Sequence, residues 1–355
     1  MKTIKTFSSC LVTLLLAACA SQEPLPDNFD DMPEDLQVTL MDFLSPEQTA
    51  IWGEEARASG THTLVRYLDD FHTQVTVNFE SGYVQVQTRG GDEPLQQLRQ
   101  AIVGTLLTPA DPRIIDLYTA TDFGLTGKPF LQGQVVDQDG QAIGTQWRAQ
   151  RFADYLVQQK LKRTGPGYEV VIPMVRQHTL VAAGNYRQAV SQAAARYRVS
   201  VPLIYAVIDT ESSFNPLAVS PSNAYGLMQI MPRTAGHDVM TKIYGRNTIP
   251  TRDYLMVPEN NIDMGAAYLS ILRDNYLSGI QDPLTREYCA IASYNGGAGN
   301  LLRTFSSDTA QAKAKINRMS SDQVYRYILK HHPREETRNY LRKVTEKKQR
   351  YAGMG

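Results

Sequence analysis

The sequence predicts an α+β domain over residues 36–178, followed by an all-α domain over residues 179–355. Between residues 73 and 88 apolar side chains alternate with polar ones, which indicates a β-hairpin between helical segments. From His178 onward apolar residues recur at helical spacing to the end of the chain. A chain of 355 residues is long enough for two domains, with one large core as the alternative.

The formal net charge of zero conceals an asymmetry between the two halves. Residues 20–189 carry 13 basic and 22 acidic side chains, whereas residues 190–355 carry 21 basic and 14 acidic ones. A basic half suits a ligand that bears carboxylates, although basic helices are more often simply solvated faces. The charge balance therefore gives no reason to expect a nucleic acid partner, and it does not identify a protein partner.

Residues 1–19 have the pattern of a bacterial lipoprotein signal peptide. Lys2 and Lys5 form a positive n-region, and Leu11–Leu16 is apolar but too short to span a bilayer as a mature helix. The sequence Leu-Ala-Ala-Cys then ends at Cys19, the residue that would become the acylated N-terminus. An ordinary secretory signal cut at an Ala-x-Ala-like site is the alternative, but the position of Cys19 favours lipidation.

Residues 20–35 are rich in Pro, Asp and Glu and predict a flexible tether from the lipid. Ala20, rather than an acidic residue, follows the cysteine, and we therefore expect the outer membrane, with the protein facing the periplasm. Cys10 leaves with the signal peptide, so Cys289 remains alone, and it lies in an apolar helical run that predicts a buried thiol. The histidines are scattered without ligand spacing, so we predict no metal site and no cofactor.

The α+β domain is predicted to begin with a helix whose cap is Ser45, with Pro46 in its first turn. The predicted elements are a helix over Asp42–Leu68, a hairpin over Thr73–Thr88, a helix over Asp92–Leu107, a short strand at Gln132–Val136, a helix over Gln146–Arg163 and a strand over Tyr168–Val175. No catalytic group of residues is visible in this domain. Spacing, docking or substrate contact are its expected roles.

The all-α domain is predicted from apolar residues that share one helical face. The first stripe consists of Tyr186, Val190, Ala193 and Tyr197. Further helices are predicted over Asn261–Tyr276, Asp282–Tyr294, Ser321–His331 and Glu335–Arg350, in addition to the helix that ends near Glu211.

The candidate site of this domain centres on the stretch Asp209–Pro232. Val201–Ile208 predicts a buried helix with Pro202 in its first turn, and Asn215-Pro216 prevents its continuation. Glu211 lies at the end of that apolar helix, where scarce water is expected to raise its pKa. On spacing alone, a solvated glutamate at a helix end is the favoured interpretation.

Three further segments change that interpretation when they are taken together with the segment that begins at Glu211. The four segments are Glu211–Pro216, Ala224–Pro232, Ala292–Gly297 and Glu336–Leu341. In this order and spacing they resemble the catalytic domain of the family 23 lytic transglycosylases, over roughly residues 190–350. The resemblance implies a lysozyme-like fold of the goose-type or SLT kind. One departure is Ser293, where the family usually has alanine.

Sugar polymers are usually cleaved with two carboxylates, but the sequence offers no obvious partner for Glu211. Asp209 lies two residues earlier, about 200° around the helix, and so points away. Asp238 and Asp253 lie in the loop-rich middle of the domain. A single acid suits a reaction in which the substrate supplies its own nucleophile, as the resemblance implies.

In that reaction Glu211 would act first as acid and then as base on peptidoglycan glycan strands, forming 1,6-anhydro-N-acetylmuramic acid ends without water. The resemblance also assigns substrate contacts. They are Ser220, Ser222, Gln229, Met231, Tyr294, Asn295 and Tyr340. From sequence alone the serines are equally plausible as turn formers, Met231 as core filler and the tyrosines as ordinary buried hydroxyl groups.

Two alternative functions would require different residues. A hydrolase of the goose-type lysozyme kind would need a second carboxylate that activates water. A non-catalytic murein-binding lipoprotein would keep the fold without needing Glu211, which this chain retains.

Overall fold

A computed structural model describes residues 46–109 and 128–354. The chain divides into two compact units, residues 1–58 and 59–355. The described part of the first unit contains helix α1, Pro46–Trp52, and a 3-10 turn, Gly53–Glu55. The predicted signal peptide, Cys19 and the tether lie outside the described residues. Within the described ranges, every helix is too short or too polar to cross a bilayer.

The second unit begins with a five-stranded antiparallel sheet. Its strands are β1 Thr63–Leu68, β2 Thr73–Asn78, β3 Tyr83–Arg89, β4 Lys162–Thr164 and β5 Gly167–Pro173, in the order β1-β2-β3-β5-β4. The predicted hairpin is confirmed as β2 and β3, with Val75 opposite Val86 and Val77 opposite Val84. These four valines are buried because one face of the sheet carries the core.

Two helices lie between β3 and β4 in sequence: α2, Pro94–Leu106, and α3, Gln146–Gln159. Helix α2 packs on the sheet, and α3 packs on α2. The helix predicted over Asp92–Leu107 is confirmed, and its apolar residues Leu98, Ile102 and Leu106 are all buried.

Three predicted elements of this region differ from the structure. The helix predicted over Asp42–Leu68 is wrong beyond residue 55, because Thr63–Leu68 pairs with β2 and the pairing overrides local helical spacing. The helix predicted over Gln146–Arg163 ends at Gln159, and the chain turns at Gly165, where φ is 49°. Gln132–Val136 forms only isolated bridges.

The remainder of the unit is helical. Its helices are α4 His178–Asn185, α5 Arg187–Tyr197, α6 Val201–Glu211, α7 His237–Lys242, α8 Arg252–Met256, α9 Pro258–Ile271, α10 Pro283–Gly296, α11 Ala298–Phe305, α12 Thr309–Asn317, α13 Ser321–His331 and α14 Glu335–Arg350. Two single π-helical turns lie among these helices: Pro232–Gly236 directly precedes α7, and Leu272–Tyr276 directly follows α9. The predicted succession of a sheet-containing region and an all-α region is therefore confirmed. Helices α4, α7, α8, α11 and α12 are additions to the predicted helices, and α7 and α8 place Asp238 and Asp253 in short helices within the stretch predicted to be loop-rich.

Helix α6 lies at the centre of the helical region. It contacts α5, α9 and α14, and its residues from Leu203 to Asp209 are buried. The stripe predicted along α5 is buried. The thiol of Cys289 is buried as well, and this burial raises its pKa to about 12. Glu211 is thus carried at the end of a largely buried helix.

The unit has two hydrophobic cores. One is built from residues between Leu64 and Met174, and the other from residues between Ala182 and Tyr351. Leu217 packs against both. The domain boundary at residues 178 and 179 stays a prediction.

Candidate active site

Glu211 is the last residue of α6, and the hydroxyl of Ser212 connects this helix end to the segment Ala224–Pro232. The hydroxyl of Ser212 lies 3.1 Å from the carbonyl oxygen of Ile208 and 2.9 Å from that of Leu227. It therefore links the helix to the turn Gly226–Ile230. The side chain of Glu211 is partly exposed at this junction.

The turn after Glu211 has an unfavourable backbone. Ser213 and Phe214 have φ values of 50° and 66°, in the left-handed region that costs residues other than glycine roughly 1–2 kcal/mol each. Phe214 is buried against the rings of Tyr186, Tyr205 and Tyr351, at centroid distances of 6.3, 6.3 and 6.1 Å. This aromatic packing offsets the backbone cost and fixes the direction in which the chain leaves Glu211.

The turn around Gly226 requires glycine. Its φ is 73°, and a Cβ atom there would lie 2.5 Å from Nδ2 of Asn261. Asn261 is fully buried; it donates to the carbonyl groups of Tyr225 (2.7 Å) and Leu255 (2.8 Å) and accepts from the Met228 amide (2.7 Å). Sequence reasoning missed this residue, although an asparagine inside an apolar helix is a recognisable signal because buried amides need partners.

Two tyrosines bring the third and fourth segments to the acid. The hydroxyl of Tyr294 donates to the carbonyl oxygen of Met228 at 2.8 Å. Its ring is stacked with that of Tyr340, with centroids 6.4 Å apart and an interplanar angle of 5°. The Tyr340 hydroxyl interacts with Glu211 but makes no hydrogen bond of ordinary geometry to the described residues. The structure therefore brings Glu211, Tyr294 and Tyr340 together.

The environment gives Glu211 the electrostatics of a general acid. The pKa of its carboxyl is raised to about 7. Burial is the main cause, the Tyr340 hydroxyl opposes the rise, and the negative charge of Glu336 contributes to it. Loss of hydration disfavours the carboxylate more than the neutral acid. At neutral pH the group is consequently divided between its protonated and ionised forms, which suits a residue that first gives and then takes a proton.

Glu336 is a second carboxylate that sequence reasoning did not place at the site. Its Oε1 accepts a hydrogen bond of 3.0 Å from Nδ2 of Asn295, and Oδ1 of Asn295 accepts one of 2.7 Å from Thr337. The carboxylate is exposed and held at the surface. Its position four residues before Tyr340 on one helix was the available signal, since residues i and i+4 share a face.

Asp209 faces away from Glu211, as the helical geometry predicts. Its buried carboxylate receives hydrogen bonds from Lys347 (2.8 Å), Arg350 (3.1 Å) and Tyr351 (2.7 Å). All three donors come from the C-terminal end of α14 or the residue after it. This cluster fastens α6 to the helix that carries Tyr340.

The other predicted substrate contacts occupy different environments. Nε2 of Gln229 donates to the carbonyl groups of Gly226 (2.9 Å) and Ala218 (3.2 Å), whereas its buried Oε1 has no partner among the described residues. Met231 is 39 % exposed, so it is not core filler. Ser222 is also exposed.

Ser220 and Asn295 are engaged in structural hydrogen bonds. The hydroxyl oxygen of Ser220 accepts from the Ala224 amide at 3.0 Å, the turn-forming role that was its alternative interpretation. The side-chain amide of Asn295 makes two hydrogen bonds to α14: its nitrogen donates to Glu336, and its oxygen accepts from Thr337. Their roles as substrate contacts stay predictions.

Comparison with known proteins divides the chain into two matched regions. Residues 30–184 match the family model described as the N-terminal domain of membrane-bound lytic murein transglycosylase C. Residues 188–317 match the model described as the transglycosylase SLT domain.

Full-length relatives show the same similarity. A membrane-bound lytic murein transglycosylase C from Serratia proteamaculans is 46% identical over 307 residues, covering 85% of this chain and 86% of the relative. One from Yersinia enterocolitica is 41% identical over 355 residues, covering 98% and 99%. Among solved structures, the lytic transglycosylase Slt from Pseudomonas aeruginosa matches with 26% identity and a TM-score of 0.38, covering 47% of this chain and 24% of that chain.

Proposed function

Because this chain belongs to the family of membrane-bound lytic murein transglycosylase C, we propose that Glu211 is its single acid/base catalyst. The protein is a peptidoglycan lytic transglycosylase. It cleaves the β-1,4 bond between N-acetylmuramic acid and N-acetylglucosamine. The observation that carries the proposal is the partly buried Glu211 carboxyl, with a pKa of about 7.

The reaction proceeds in two proton transfers. Neutral Glu211 gives its proton to the oxygen that bridges the two sugars, and the bond from that oxygen to C1 of the muramic residue breaks. The C6 hydroxyl of the same muramic residue attacks C1, and its proton passes to the Glu211 carboxylate. A 1,6-anhydro ring closes, water is not consumed, and Glu211 regains its starting form.

Several side chains are suited to assist this reaction. The Tyr340 hydroxyl faces Glu211 and can support either protonation state, because a phenol both donates and accepts. The buried Oε1 of Gln229, which no described residue contacts with a hydrogen bond, is an acceptor for an amide N–H of the N-acetyl groups. The exposed side chains of Met231 and Ser222 are free to meet the sugar rings.

A hydrolase is the rival function, and Glu336 is the residue it would need. Its carboxylate interacts electrostatically with Glu211, but Asn295 holds one of its oxygens at 3.0 Å. The relatives are named transglycosylases, which favours the anhydro product. A non-catalytic role is disfavoured, because it gives no reason for a carboxyl with a raised pKa at this position.

Replacing Glu336 by glutamine is expected to move the alkaline limb of kcat/KM to lower pH. The negative charge of Glu336 raises the pKa of Glu211, so its removal lets Glu211 ionise at lower pH and lose the proton it must donate. Glutamine keeps an acceptor for Asn295. The measurement is the rate of glycan cleavage across the pH range, with Glu335→Gln as a control of equal charge change one residue away; an unshifted limb would contradict this role.

We also propose that Cys19 is lipidated and attaches the protein to the outer membrane. The relatives are named membrane-bound, and the sequence Leu-Ala-Ala-Cys with Ala20 after it supports the site and the membrane. Several acyl chains hold a protein firmly, since each buried methylene contributes about 0.8 kcal/mol.

A Cys19→Ser variant is expected to lose radiolabelled palmitate and to appear in the soluble periplasmic fraction. Cys10→Ser, which lies in the leader, provides the matched control and should remain with the membranes of outer-membrane density. Label retained on the Cys19→Ser protein would rule out this lipid site.

A further inference from the structure

The chain just before β1 makes two hydrogen bonds to the turn that follows Glu211. Nδ1 of His62 lies 3.0 Å from the hydroxyl oxygen of Ser213. Nδ2 of Asn215 donates to the carbonyl oxygen of Thr61 at 3.1 Å. The α+β region therefore contacts the chain directly beyond the proposed acid, at positions on both sides of Phe214.

The Ser213 hydroxyl lies 3.0 Å from Nδ1 of His62 and 3.4 Å from the carbonyl oxygen of Asp209, in the last turn of α6. The tautomer of the His62 ring sets which of the two partners receives the hydroxyl proton, because Nδ1 donates in one tautomer and accepts in the other. In either case the Ser213 amide donates to the Asp209 carbonyl at 3.3 Å. One chain of hydrogen bonds thus runs from His62 through Ser213 to the helix turn that carries Glu211.

This turn needs support from outside itself. Ser213 and Phe214 both have left-handed φ values, a conformation that such residues keep only where their surroundings impose it. Aromatic rings hold Phe214 from the helical side. From the α+β region, His62 is hydrogen-bonded to Ser213 and Thr61 to Asn215, the residues directly before and after Phe214.

We propose that His62 and Thr61 are positioning residues for Glu211, so that the α+β region forms part of the catalytic machinery and is more than a spacer. They keep the turn after Glu211 in its left-handed form, and the carboxyl consequently stays against Tyr340. A misplacement of about 1 Å caused by a remote change can cost roughly a hundredfold in rate. The inference rests on the proposed role of Glu211.

The test compares three single variants of the full chain on purified uncross-linked glycan strands. His62→Ala is expected to lower kcat by about tenfold to a hundredfold, with KM changed by less than about twofold. His62→Asn should restore most of kcat, because the asparagine amide offers Ser213 both a donor nitrogen and an acceptor oxygen in place of Nδ1. Lys128→Ala is the control; its Nζ makes another contact between the two regions, to Oδ1 of Asn185 at 2.7 Å, and its loss should leave kcat unchanged.

A double-mutant cycle adds a readout that general destabilisation does not produce. The effects of His62→Ala and Ser213→Ala on kcat should overlap instead of multiplying, because each change breaks the same bond. Multiplicative effects, a His62→Ala variant that behaves like Lys128→Ala, or a fall in kcat that His62→Asn does not reverse would each overturn the proposal. Activity retained by Glu211→Gln would instead refute the function on which it rests.

Discussion

Glu211→Gln is expected to abolish glycan cleavage while the protein stays folded and still binds glycan strands. Glutamine has nearly the same shape but carries no transferable proton, so both proton transfers fail. General acid–base catalysis contributes roughly 10²–10⁴-fold, and loss of both steps at one residue places the effect at the upper end. The rate of release of soluble fragments from purified sacculi measures the loss, and co-sedimentation with sacculi measures binding.

The matched control is Glu346→Gln, an exposed glutamate of α14, which should retain full activity. Stability gives a second check, because the pKa of Glu211 is about 7 in the folded protein and 4.5 ordinarily. As pH rises from 4.5 to 7 the unfolded chain ionises first, so the folded protein loses up to about 3 kcal/mol that glutamine does not lose. Glu211→Gln should therefore raise Tm at pH 8 and change it little at pH 4; an equal change at both would contradict the raised pKa.

Asp209→Ala is expected to cost roughly 3 kcal/mol of unfolding free energy. Asp209 is 2 % exposed and accepts from Lys347, Arg350 and Tyr351, so its removal leaves charged and polar groups without their partner. Lys347 is 19 % exposed and Arg350 is 48 % exposed, so water compensates in part. Because the cluster fastens α6 to α14, activity should fall together with stability.

Chemical denaturation measures this cost, and Asp154→Ala is the control. Asp154 forms an ion pair with Arg99 in which both side chains are well exposed, and such pairs are worth about 1 kcal/mol or less. Equal losses in the two variants would show that the Asp209 cluster does not fasten the two helices.

The helix that carries the proposed acid was predictable because its signals are local. Pro202 in the first turn and Asn215-Pro216 beyond the end define α6, and the structure has it at Val201–Glu211. The opposite directions of Asp209 and Glu211 follow from helical geometry alone. Tyr294 and Tyr340 were placed near the acid only through the family resemblance, and both lie there.

Features that depend on tertiary contacts were missed. Thr63–Leu68 carries helical spacing and becomes an edge strand only because β2 is available to pair with it. Asn261 contacts Gly226–Ile230, and Glu336 acts on Glu211, from other helices. An asparagine inside an apolar helix and a glutamate four residues before Tyr340 single out these two residues, but neither local pattern tells which distant segment they contact. The His62–Ser213 bond joins residues 151 positions apart, beyond the reach of any periodicity.

The chemical form of the released sugar ends tests the central claim most directly. Purified sacculi digested in water enriched in oxygen-18 would be analysed by mass spectrometry of the muropeptides. If Glu211 works alone and the C6 hydroxyl is the nucleophile, the new ends are 1,6-anhydro-N-acetylmuramic acid, lighter than reducing ends by one water and free of the heavy isotope. Reducing ends that contain oxygen-18 would contradict the account and identify the protein as a hydrolase.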